Sequence, residues 1–69
     1  VGTDSFTVDD PREKDKPAHV VLLNQHGILI IECVMNLDAV PCTRFQTVCL
    51  PLKIQQGSGA FTRMIAVCQ

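Results

Sequence analysis

The sequence has no tryptophan and no tyrosine, and only three phenylalanines among its 69 residues. That leaves no aromatic platform on which nucleobases would stack. Net charge is nearly absent as well: six Lys and Arg against seven Asp and Glu give −1. There is no basic field to draw in a nucleic acid or an anionic membrane surface. No apolar run approaches the ~20 residues that cross a bilayer, and no signal-peptide pattern opens the chain. The four cysteines, Cys33, Cys42, Cys49 and Cys68, contain no CxxC pair, which excludes a zinc ribbon or a thioredoxin-type site. Three of them lie in apolar stretches, where a reduced cysteine behaves as a small hydrophobe. They read as reduced, buried thiols of a cytoplasmic protein rather than as a disulfide framework. The QQGSG stretch has neither GxGxxG spacing nor a P-loop lysine, so it reads as turn chemistry. Ser58 lies in no nucleophile elbow and has no evident base, which argues against a serine triad.

What remains is a small, globular, fairly apolar chain, 46% hydrophobic. A domain this small buries only about 60% of the surface its unfolded chain exposes. Below roughly 70–80 residues a disulfide set, a metal or a partner surface usually supplies the rest. The chain opens on Val1, in what reads as a strand, and is expected to be a piece of a longer polypeptide.

Its segments follow a mixed α/β order. Residues 1–8 alternate loosely as a short strand. The charged stretch 9–17, DDPREKDKP, is a solvated loop by composition and its charges call for no functional explanation. Pro17 suits the first turn of a short helix through AHVVLL, and Gly27 a position just past its end. ILIIECVM (28–35) is a continuous apolar run of strand length, the mark of a strand covered on both faces. NLDAVP reads as a turn or a single helical turn, with Asn36 or Asp38 as its cap. RFQTVCLPLKI (44–54) and AFTRMIAVC (60–68) flank QQGSG as a β-hairpin, with Pro51 at an edge or bulge.

One charge interrupts the apolar run. In a strand, Ile28, Ile30, Glu32 and Val34 would share one face, so Glu32 stands in an aliphatic row. An ion pair with Arg63 or Lys53, a neutral carboxyl with a raised pKa, and a metal ligand all answer that placement; a divalent cation would stabilise the carboxylate directly. His19 begins the helix, and a helix returning over the strand would bring it to Glu32. His26, in the turn beside Gly27, is a second candidate and reads as exposed.

The blocks VGTDSFTVD, HVVLL, GILIIECVMNLDAV and PLKIQQGSGAFTRMIAV, in that order, resemble the carboxy-terminal part of the cyclase family of metal-dependent hydrolases. That family includes bacterial-type kynurenine formamidases and isatin hydrolases. The resemblance covers nearly the whole chain and implies a C-terminal segment (1–69) of a single cyclase-like domain with a swivelling β/α/β fold. It implies that a histidine-rich metal motif, His-x-Gly-x-His-x-Asp-x-Pro-x-His, lies upstream of these residues. By position His19 is similar to the family's later metal-binding histidine and Glu32 to its glutamate, with zinc or manganese as the metal. The implied chemistry is hydrolysis of a formamide or cyclic amide by metal-activated water. The implied partners are a small-molecule amide and either the remainder of the domain or further copies of the chain. The alternative is a non-catalytic remnant or oligomerising module of the same fold, and by itself the 69-residue chain is expected to be inactive.

Overall fold

In the computed structural model, which describes residues 1–69, two short extended stretches of the first unit, Val1–Leu37, run side by side in parallel. Gly2 and Ile31 form the bridge. Thr3 N–H donates to the Ile31 carbonyl (2.9 Å), Ile31 N–H to Val1 (2.8 Å) and Cys33 N–H to Ser5 (3.0 Å). Parallel neighbours cannot be joined by a tight turn and need a crossover. The intervening residues provide it as a charged loop and a short helix.

The helix starts as α1, Pro17–His19, and continues as the π-helical stretch Val20–Gln25. Pro17 occupies the first turn, where its missing N–H costs nothing. The widening coincides with the adjacent valines 20 and 21, whose branched side chains fit an α-helix poorly. Gly27 closes the helix as the sequence implies: its φ is +62°, a conformation glycine adopts without steric cost. Its N–H donates to Leu23 (3.2 Å), and Ile28 N–H to Leu22 (2.7 Å).

The apolar run 28–35 is not covered on both faces. Leu29 is 75% and Met35 81% exposed, and the stretch is paired along one edge by residues 1–5. Cys33 takes a left-handed conformation, φ 56°, which turns the chain just after Glu32 and breaks the alternation. Ile28, Ile30, Glu32 and Val34 therefore do not form one continuous row.

The second unit, Asp38–Gln69, is the hairpin. Strands β1, Phe45–Cys49, and β2, Met64–Cys68, pair antiparallel with Phe45 opposite Cys68 and Cys49 opposite Met64. The regular ladder stops before Pro51, which has no N–H to contribute; one further bond, Leu52 N–H to Phe61 (3.3 Å), continues the pairing beyond it. A turn then closes through Gly57 N–H to Ile54 (3.1 Å).

The expectation of four reduced thiols fails here. Cys42 and Cys68 form a disulfide, while Cys33 and Cys49 are free. The register places Cys68 opposite Phe45, three residues from Cys42, so the pair meets through strand pairing that sequence spacing does not display.

Neither unit encloses a hydrophobic core. No helix is long and apolar enough to cross a membrane.

Candidate metal centre

The first turn of the helix presents free backbone N–H groups that need acceptors. Lys16, at the N-cap, supplies no side-chain hydrogen bond. Asp9 does so from the charged loop: its Oδ1 accepts from Ala18 N–H at 2.6 Å and its Oδ2 from His19 N–H at 3.0 Å. This is the work of a capping carboxylate, performed from nine residues away.

The same Oδ2 lies 2.6 Å from His19 Nδ1. The Asp9 side chain is only 5% exposed, whereas His19 is 27% exposed. Desolvation by itself would raise the Asp9 pKa. The hydrogen bonds from the His19 ring and from the Ala18 and His19 amides, with the nearby imidazole charge, outweigh it and hold the carboxyl below its ordinary value of 3.8. Reading Asp9 as an ordinary loop charge missed this. The available signal was a helix starting at Pro17 with lysine at the capping position, which leaves its amides waiting for an acidic neighbour.

On its other side, His19 Nε2 lies 3.7 Å from Glu32 Oε2, with the Glu32 side chain 34% exposed. His19 and Glu32, singled out in the sequence, are thus brought together. Glu32 is not a buried carboxylate, and the titratable group beside it is His19, rather than a lysine or arginine. His26 is exposed at the helix end and takes no part.

A separation of 3.7 Å is too long for a hydrogen bond. It is close to the ~3.4 Å between two ligands each about 2.0–2.1 Å from a tetrahedral zinc. The donor chemistry, one imidazole and one carboxylate, suits zinc or manganese. These two donors are not joined by a third His, Cys, Asp or Glu in a cluster able to hold a metal. Elsewhere, the hollow lined by Pro51, Leu52, Ile54 and Gly57 to Ala60 contains no titratable side chain and offers no comparable chemistry.

Comparison with known proteins gives two matches of the same kind. The chain is 38% identical over 65 residues to a kynurenine formamidase of Erythrobacter litoralis, covering 94% of this chain and 29% of that protein. It is 42% identical over 65 residues to a kynurenine formamidase of Salinibacter ruber, covering 94% of this chain and 30% of that one. The chain therefore spans under a third of the length of the curated relatives it matches. No protein-family profile matches it, and no solved structure does.

Proposed function

We propose that this chain is a segment of a cyclase-family, metal-dependent hydrolase of the kynurenine formamidase kind, and that His19 and Glu32 are two of its metal ligands. The convergence of His19 Nε2 and Glu32 Oε2 at 3.7 Å carries the reading, in a chain similar over most of its length to two proteins of that name. Bound zinc or manganese supplies Lewis acidity toward an amide or formyl carbonyl and a water acidic enough to attack it. Within this chain, His19 offers a nitrogen lone pair and Glu32 a carboxylate oxygen, directed at one another from the helix and the adjoining extended stretch.

Two donors are fewer than the three protein ligands of a typical catalytic zinc site. The reading therefore assigns the other ligands, and the substrate pocket, to polypeptide outside these 69 residues. The exposed apolar surface supports that assignment. Phe61 is 91% exposed, Phe6 83% and Met35 81%. The same surface favours the second reading, a non-catalytic module that associates through its apolar side chains.

Calorimetry with Zn²⁺ and Mn²⁺ on the chain and on Glu32→Gln tests the site. Binding that Glu32→Gln abolishes supports the ligand assignment. Binding unchanged in the variant removes Glu32 from the site. Association of the chain without any metal binding favours the second reading.

A further inference from the structure

We propose that Asp9 is a positioning residue for His19: it fixes the imidazole as its Nδ1–H tautomer and turns the Nε2 lone pair toward Glu32. The functional meaning of this rests on reading His19 as a metal ligand; the geometry does not. An ionised carboxylate only accepts hydrogen bonds, so at 2.6 Å from Asp9 Oδ2 the Nδ1 atom must carry the proton. A neutral imidazole has one N–H, which leaves Nε2 bare. Backbone N–H and ring of His19 are both tied to that one oxygen, so the rotation of the side chain is fixed together with its protonation. Asp9 is itself held by the Ala18 amide at 2.6 Å and is almost wholly enclosed.

The consequence lies on the far side of the ring. Nε2 and Glu32 Oε2 face each other at 3.7 Å, and with the proton on Nδ1 both are acceptors. Two acceptors so placed repel unless a positive centre stands between them or protonation makes Nε2 a donor. A carboxylate behind a ligating histidine fixes its tautomer and raises its basicity, and losing such a group typically weakens metal binding 10–100-fold.

The test is the tautomer of His19 in the metal-free 69-residue chain, read from long-range ¹H–¹⁵N correlations of the imidazole at a pH where it is neutral. His26, which has no carboxylate partner, serves as the internal reference. The expected result is Nδ1–H at His19. In Asp9→Asn, whose neutral amide is a weaker acceptor than a carboxylate, the preference for Nδ1–H at His19 should be lost. Zn²⁺ affinity should fall at least tenfold. An Nε2–H tautomer in the unmodified chain overturns the proposal, as does an unchanged tautomer in an Asp9→Asn chain that keeps its helix by circular dichroism. Should the variant lose its helix, the tautomer of the unmodified chain decides alone. Nδ1–H in a chain that binds no Zn²⁺ sinks the metal reading and leaves Asp9 in its positioning role.

Discussion

Cys42 and Cys68 are joined across the open end of the β1–β2 hairpin, with α-carbons 6.1 Å apart and a sequence separation of 26. A two-stranded hairpin alone is marginal in water, and this unit has no enclosed core to reinforce it. Closing a loop of this length removes unfolded-chain entropy worth about 3.5 kcal/mol. Reduction by a dithiol, or Cys68→Ser, should therefore melt the strand pairing. The readout is loss of amide-exchange protection in β1 and β2; protection that survives reduction would show that the strands hold without the bond.

Acid should release the helix. The Asp9 pKa is lower in the folded chain than its ordinary value of 3.8, so folding favours the charged carboxylate. Its stabilising contribution is fully present above that ordinary value and disappears as pH falls through the lower, folded one. Far-UV circular dichroism should show a loss of helix below about pH 4. Asp9→Ala should start with less helix and lose this acid step.

Gly27→Ala should weaken the helix end for one reason alone. A β-carbon there meets nothing within 4 Å, while the backbone sits at φ +62°. The cost is then the left-handed conformation itself, about 1 kcal/mol. Gly27→Asn should cost less, since asparagine tolerates that region. Thermal denaturation of the pair of variants separates them; equal losses would point to packing instead.

The apolar side chains in water should make the chain associate. Phe61, at 91% exposure, touches little that a substitution would remove. Phe61→Ser should reduce self-association in sedimentation and lower binding of a hydrophobic dye, with hairpin exchange protection unchanged. Loss of that protection would mean the ring supports the fold.

Much of the local architecture was legible because it depends on neighbours in sequence. Pro17 and Gly27 marked the helix limits, and Pro51 was legible as an edge or bulge position, although the strand expected over 44–54 is regular only over Phe45–Cys49. His19 and Glu32 were visible as an imidazole at a helix start and a charge in an apolar run, and the crossover brings them within 3.7 Å. Three features were hidden. Asp9 acts on amides nine and ten residues away, with the spacing of no capping box. Cys42 meets Cys68 only through the hairpin register. The apolar run 28–35 records which surroundings the segment suits, not which surroundings these residues provide, and so it read as a doubly covered strand.

The Asp9 carboxylate has one more consequence, for the residues it encloses. Because Asp9 is fastened to Ala18 and His19, the charged residues 10–16 form an excursion whose two ends are already pinned together. Lengthening a loop with fixed ends is inexpensive, about 0.6 kcal/mol per doubling. A peptide inserted between Glu13 and Lys14 would swell the excursion outward and leave the imidazole where it is. This stretch of the chain is therefore free to differ in length among related proteins, and it is the natural place to graft a tag or a reporter.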